Sequence, residues 1–327
     1  MILRELDSLE VIAIVDNSLS IWTDPEREDV QRYQKWIGKE EEDVDRPLPV
    51  ASAGLSLYVR AKVDTETYTV LYDTAEKSQN MENNTAALGL KLIDIDAVVI
   101  SHGHGDHFGG LLWAIENIGK KEVPVYAHPR MFLKKRYEVR SPEGFKIIDL
   151  KSMPSKEEIE QAGGKVISTG EPILLGNGIL LRTGEVPRLT DYEKGMEGLK
   201  ALMNGKWQDD ADVKDDVSLV ANVKDKGLVV ISGCSHAGII NIIREAQRLT
   251  QKTEVHAVIG GFHLAMGVKK DTMLETVKTM KKIQPKLLVP CHCTGWRARH
   301  LMSAEMPSGY VEGSVGHKYI IGEGDVS

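Results

Sequence analysis

The chain has 327 residues, 42% of them hydrophobic and 27% charged, with a net charge of −7. That length holds one large α/β domain or two small ones, and the composition suits a soluble globular core. The acidic balance argues against general nucleic-acid binding, which needs a broad basic surface. Three cysteines are too few for a disulfide framework and fit a reducing compartment.

In chain order, Leu9 to Asp16 reads as a buried strand ending on an acidic residue. Residues 17–49 are polar and acidic, with Glu40-Glu41-Glu42-Asp43 near the middle. This stretch is a candidate insertion or lid, with a solvated loop as the other reading. Ala53–Arg60 and Thr67–Asp73 read as a pair of strands. A helix is expected over Asn84–Leu92. Asp96-Ala97-Val98-Val99-Ile100 is a short β-branched run typical of a buried strand.

The next eleven residues, Ser101-His102-Gly103-His104-Gly105-Asp106-His107-Phe108-Gly109-Gly110-Leu111, hold three histidines and an aspartate within six positions. Apolar residues at helical spacing follow from Leu111 to Ile118. The cluster therefore sits on a strand-to-helix turn, where neighbouring side chains converge. Imidazole and carboxylate are common ligands of zinc and similar ions. On a strand His102 and His104 share a face, while Asp106 and His107 are free to point at a second ion. Gly103 and Gly105 are expected to permit the tight backbone.

Val123–Pro129 is a further strand ending at His128, a structural or rim residue on this reading. Arg130, Lys134, Lys135 and Arg136 follow, and are expected on a solvated helix face or beside an anionic group. Residues 141–185 are glycine-rich strand-and-turn material. The charged stretch Asp191–Asp216 is expected to be irregular, and 186–216 is a second candidate insertion or lid near the active site.

Three later strands repeat the pattern. Gly227–Gly233 runs into Cys234 and His236, followed by helical spacing from Ile239 to Leu249. Val255–Gly261 leads to His263, with a helix over Thr272–Ile283. Lys286–Pro290 leads to Cys291-His292-Cys293, and strand alternation turns both cysteines away from His292, as packing residues. Gly316–Gly322 reads as a terminal strand. In α/β folds ligands gather at the carboxyl ends of strands, and histidine stands at several such ends here. No run approaches ~20 apolar residues and no secretory signal is visible. The expectation is a cytoplasmic protein without membrane or nucleic-acid partners. A homo-oligomer is compatible with the sequence.

The pattern His102-X-His104-X-Asp106-His107 after a strand resembles the signature of the metallo-β-lactamase superfamily. The segments 233–238, 260–264 and 291–295 resemble a narrower group within it, the dihydropterin–ribofuranosylaminobenzene 5′-phosphate synthase-like proteins. The resemblance spans about Leu9 to Gly322. It implies a single α/β domain over 1–327, an αββα four-layer sandwich of two mixed sheets flanked by helices. It also implies two divalent ions, zinc first with manganese or iron as alternatives. His102, His104 and His236 would hold one ion; Asp106, His107 and His292 would hold the other. Asp106 would also orient a water, and His263 would protonate a leaving group. Asp73 would hold a histidine tautomer from behind.

The chain departs from the resemblance in places. Cys234 stands where a bridging aspartate is usual and is expected to be a buried neighbour of the ligands. No histidine occurs between Arg182 and Arg188, so His236 serves as the substitute. Ala53-Gly54 and Asp73-Thr74-Ala75 replace His-Gly and Asp-Gly. Arg297 and Arg299 are candidate phosphate anchors. The function implied is a metal-dependent hydrolase, or a transferase built on one, acting on a small phosphorylated or pterin-like compound. A metal-containing sensor without turnover and a nuclease are the competing readings.

Overall fold

In the computed structural model, described for residues 1–20, 27–37, 47–142 and 144–323, the β-branched runs become the central strands of two facing mixed sheets. The first sheet orders its strands as Gly164–Ser168, Val123–Ala127, Ala97–Val99, Glu66–Tyr72, Ser56–Val63, Ser8–Val15, Lys318–Gly322 and Val30–Gln31. The second runs Ile173–Leu175, Leu180–Arg182, Leu219–Val223, Gly227–Ser232, Val255–Gly261 and Leu287–Cys291, with Glu5–Leu6 paired alongside Leu219–Val223. Their facing sides share one apolar layer that includes Val11, Val59, Val70, Val229, Ile231, Ile259 and Val289.

Helices cover the outer faces. Ile239–Thr250, Lys270–Ile283 and Trp296–Glu305 pack on the second sheet through Ile239, Ile243, Val277, Met280 and Met302. Ser78–Ala87, Leu111–Ile118 and Lys156–Gln161 cover the first through Met81, Leu111, Ile115 and Ile159. This is the αββα sandwich. Among the described residues no helix is long and apolar enough to cross a membrane.

A third sheet lies outside the two-sheet expectation. Lys206–Asp209, Leu199–Met203, Lys135–Ser141 and Gly144–Asp149 form an antiparallel four-stranded unit. Leu199–Met203 and Lys206–Asp209 are a hairpin around Asn204-Gly205, whose φ angles of +51° and +74° suit the two-residue turn that Asn-Gly favours. The stretch from Asp191 is therefore more ordered than expected. Lys135 and Arg136 lie on a strand rather than a helix. Lys135 is buried against Asp215, and Arg130 is tied to Asp210. The expected solvated helix face does not exist.

The helix expected at Asn84–Leu92 begins earlier, at Ser78, and Gly89 at φ +61° stops it. Asn84 is buried inside it, donating to Ile14 O and Val50 O. Within the 17–49 segment, Val30–Gln31 extends the first sheet's edge and Trp36 Nε1–H donates to Gly316 O at 2.9 Å. The acidic Glu40–Asp43 run lies outside the described residues.

Candidate metal centre

The parallel strands Glu66–Tyr72, Ala97–Val99, Gly227–Ser232, Val255–Gly261 and Leu287–Cys291 carry the site at their carboxyl ends. Several of these ends turn through a left-handed, non-glycine residue: Asp73 at φ +62°, Ser235 at +57°, His263 at +40° and His292 at +48°. Such backbone costs of order 1–3 kcal/mol per residue and persists where its surroundings over-determine it. Gly233 meets a different need. A Cβ there would stand 2.2 Å from Ser101 Oγ, so only glycine allows the two sheets' strand ends to approach this closely.

Two groups of donor atoms result. In the first, His102 Nε2 lies 2.9 Å from His104 Nδ1 and 3.1 Å from His236 Nε2. In the second, Asp106 Oδ2 lies 3.6 Å from His107 Nε2 and 3.4 Å from His292 Nε2. The donor atoms of each group lie within 4.8 Å of one another. A tetrahedral ion with bonds of about 2.0–2.3 Å spaces its donors about 3.3–3.8 Å apart; the second group falls in that range, and the first, a few tenths of an ångström tighter, would open slightly around an ion. Buried ring nitrogens His104 Nε2, His236 Nδ1, His263 Nδ1 and both nitrogens of His292 have no hydrogen-bond partner. An imidazole-rich, carboxylate-containing donor set of this kind fits zinc, manganese or iron.

Behind the donors, Asp73 Oδ2 is 2.6 Å from His107 Nδ1, and the Ser101 hydroxyl donates to the same oxygen at 2.7 Å. Ser101 N–H donates to Asp73 Oδ1 at 2.7 Å, and Ser101 Oγ lies 2.9 Å from His102 Nδ1. Asp73 thus braces both donor groups, one directly and one through Ser101. The loop carrying His102 and His104 has a further anchor: Gly103 N–H donates at 2.8 Å to Asp215, whose two oxygens lie 2.6 and 2.7 Å from Lys135 Nζ. Gly103 and Gly105 do not take left-handed backbone. Gly103 is needed for space, since a Cβ would stand 3.0 Å from Asp215 Oδ2 and from the backbone of Met131.

Electrostatics differ between the groups. Burial, with repulsion from neighbouring rings, pushes His102 and His236 well below the usual imidazole value; burial and Lys135 bring His104 down to about 4. These rings are neutral near pH 7, the form that binds metals. Burial also opposes charge on His107, yet Asp106 and Asp73 carry it up to about 9. Asp106 is held well below the carboxylate range; burial raises it, and His107 and His292 more than offset that. Burial pushes the Cys234 thiol up. Cys293 goes down, because the Cys234 hydrogen bond and the His292 ring outweigh burial.

His263 stands beside the first group, its ring 4.4 Å from that of His236. Both line a cleft of about 710 Å³ walled by Tyr137 and Val139 of the third sheet, by Tyr192 and Met196, and by Phe262. Residues 192–198 of the expected 186–216 insertion thus lie directly beside the site. Lys194 and Lys269 are the cations on the cleft wall; Arg297 and Arg299 are not among its lining residues. Arg299 donates to Ser18 Oγ at 3.0 Å and Arg297 is exposed. His128 is buried, accepting from Arg130 N–H at Nδ1 and lying 3.3 Å from Glu185.

One assignment changes. Cys293 does not turn away from His292: its Sγ joins Cys234 and His292 in one donor cluster, because the strand stops at Cys291 and His292 enters a turn with positive φ. Cys234 is buried, its Sγ 3.2 Å from His107 Nε2. Sequence reasoning offered Lys135 an anionic neighbour without naming it and missed Asp215; the two meet across 80 positions with no local signal.

Donors gather at strand ends between two mixed sheets, and a family model described as Metallo-beta-lactamase superfamily matches residues 51–292. The chain belongs to the metallo-β-lactamase superfamily and is an enzyme of that fold. It is 34% identical over 255 residues to a Methanocaldococcus jannaschii 7,8-dihydropterin-6-methyl-4-(beta-D-ribofuranosyl)-aminobenzene-5'-phosphate synthase, covering 77% of this chain and 84% of that one. A second M. jannaschii relative, the uncharacterized protein MJ0448, is 34% identical over 249 residues, covering 76% of this chain and 86% of its own. Among solved structures, Tm1679, described as a metal-dependent hydrolase of the beta-lactamase superfamily, superposes with a TM-score of 0.70 at 23% identity, over 96% of this chain and all of the other. That likeness bears on the fold.

Proposed function

We propose that the chain is a metal-dependent hydrolase, or a transferase built on a hydrolase site, that holds two divalent ions and acts on a small anionic ring compound of pterin-like or phosphorylated type. The observation that carries this reading is the pair of three-residue donor groups, one of which reaches the cleft through His236. His102, His104 and His236 would hold one ion and Asp106, His107 and His292 the other; zinc is the first choice, manganese or iron the alternatives. Bound there, such ions supply Lewis acidity and a water activated for attack near neutral pH.

The chain's own residues do the rest. Asp73 keeps the His107 Nδ1 proton turned away from the donors, and Asp106 presents a half-exposed carboxylate toward the attacking water. His263, on the cleft wall, would hand a proton to a leaving group. Tyr137, Tyr192 and Phe262 offer flat apolar surface to a ring, and Lys194 and Lys269 offer charge to an anionic substituent. The relative named as a dihydropterin phosphate synthase supports the pterin class and the transferase option. A cytoplasmic setting fits the three unpaired thiols.

Elemental analysis of protein purified without chelator tests the reading. About two ions per chain are expected, and none after reconstitution would overturn it. With metal bound, His263→Gln should lower turnover of a phosphorylated dihydropterin by about 10²–10⁴-fold while metal content stays constant. A sensor without turnover would show no rate to lose.

A further inference from the structure

Asp16 and Asn17 stand just past the Ser8–Val15 strand of the first sheet, and His292 just past the Leu287–Cys291 strand of the second. The two strand ends are joined through both backbone groups of His292. His292 N–H donates to Asp16 Oδ1 at 2.9 Å, and Asn17 Nδ2–H donates to His292 O at 2.9 Å. The pair that grips His292 is itself fixed in place. Asp16 O accepts Ser52 N–H at 3.0 Å, and Ser18 O accepts Val315 N–H at 2.9 Å. The Arg299 guanidinium donates to Ser18 Oγ at 3.0 Å and to Asn17 Oδ1 at 3.5 Å.

At His292 the backbone decides where the side chain aims. Its φ of +48° lies in a region that costs a non-glycine residue about 1–3 kcal/mol and persists where neighbours over-determine it. The ring has no help from behind, because Nδ1 is buried without a hydrogen-bond partner among the described residues. His107 differs, since Asp73 grips its ring at Nδ1, 2.6 Å away. The hold on His292 N–H and O is what directs Nε2 toward Asp106 Oδ2, at 3.4 Å. Asp16 also carries a burden that asks for a reason. Its carboxylate is fully buried, and Oδ2 has no hydrogen-bond partner among the described residues. A buried acceptor left in that state costs free energy.

We infer that Asp16 and Asn17 are positioning residues for the second donor group. They hold His292 in its left-handed step and so set the affinity for the ion that Asp106, His107 and His292 would share, without touching that ion. Asp16, fully buried, carries most of the effect, and the exposed Asn17 the rest. The His102, His104 and His236 group is anchored elsewhere. Asp215 accepts Gly103 N–H, and Asp216 Oδ2 accepts Ala237 N–H at 2.7 Å. Loosening the hold on His292 therefore leaves the first ion's affinity unchanged. The inference rests on the reading of the site as a two-ion centre and adds the residues that aim one of its donors.

Chelator competition for zinc on the metal-stripped full-length protein tests this. His292→Ala marks the binding step that belongs to the second group, by weakening or abolishing it. Asp16→Ala should weaken that same step by about 10–100-fold and leave the other as it is. Asp16→Asn, which keeps an oxygen for His292 N–H, should recover most of the loss, a rescue that a general loss of stability would not show. No weakening, equal weakening of both steps, or no recovery in Asp16→Asn overturns the positioning role and leaves the centre standing. A wild-type protein that binds no zinc, or a His292→Ala variant that binds it as tightly as the wild type, overturns the reading of the centre and this inference with it. Should Asp16→Ala not fold, Asn17→Ala decides at an exposed position. A smaller loss confined to the marked step supports the inference, and unchanged affinity overturns it.

Discussion

Replacing Asp215 with alanine isolates the contact that anchors the His102–His104 loop. The carboxylate is fully buried, accepts Gly103 N–H, and holds Lys135 Nζ with both oxygens. Removing one partner of a buried ion pair costs about 3–5 kcal/mol, because the other charge is left uncompensated. Asp210 Oδ2, 3.5 Å from Lys135 Nζ, offsets part of this. The orphaned Gly103 amide adds about 1–3 kcal/mol. The expected loss is about 4 kcal/mol, or about 8 °C in Tm at about 2 °C per kcal/mol for a chain of this size. Urea unfolding of the metal-free protein measures it. Adding Lys135→Met to an Asp215→Leu variant should recover most of the loss, since an apolar pair replaces the stranded charge. The ion pair also sets a pH signature. Burial raises the Asp215 pKa, but Lys135 holds it below the usual value. Its contribution is therefore present above the unfolded value of about 3.9 and fades as pH falls toward the folded one. A loss under about 1 kcal/mol for Asp215→Ala, or no recovery in the double variant, would refute the anchoring argument.

Two further outcomes follow from the same geometry. Asp73→Asn removes the carboxylate behind His107 Nδ1 and the acceptor of the Ser101 hydroxyl; chelator competition should show zinc held about 10–100-fold more weakly, and unchanged affinity would deny Asp73 its bracing role. His317 is buried with a pKa pushed down to about 4 by burial. The unfolded chain, at about 6.5, takes the proton first as pH drops, so this residue's stability is intact above about pH 6.5 and drains toward pH 4. By pH 5 it amounts to about 2 kcal/mol. Urea midpoints at pH 7 and pH 5 should differ less in His317→Gln than in the wild type, and equal differences would rule His317 out as a source of acid sensitivity.

Much of this molecule is legible in one dimension because its site is built from repeats of one local device. An apolar β-branched run makes a buried strand, and a histidine follows within one to four residues of its end. Ala97–Val99 before His102, Gly227–Ser232 before His236, Val255–Gly261 before His263 and Leu287–Cys291 before His292 all follow it. Each element is short-range, so periodicity finds it. The Asn204-Gly205 turn was equally readable, and was obscured by the charged residues around it. Two kinds of feature are not readable this way. Lys135 and Asp215 meet only because the third sheet, which carries Lys135, lies against the loop after Lys206–Asp209, which carries Asp215, and nothing near either residue announces the other.

The cysteines expose the deeper limit. Strand alternation is a sound rule while φ stays negative, and by that rule Cys293 faces away from His292. The rule fails one residue after Cys291, where His292 adopts φ +48°. The same left-handed step occurs at Asp73, Ser235 and His263. Backbone that costs energy at several strand ends, all around one cluster of donors, is what permits successive side chains to converge on a point instead of alternating across a sheet. The departure from strand geometry is thus the same feature that makes the site. A reading that extends regular structure to the last residue of each strand will find the histidines and misplace their neighbours.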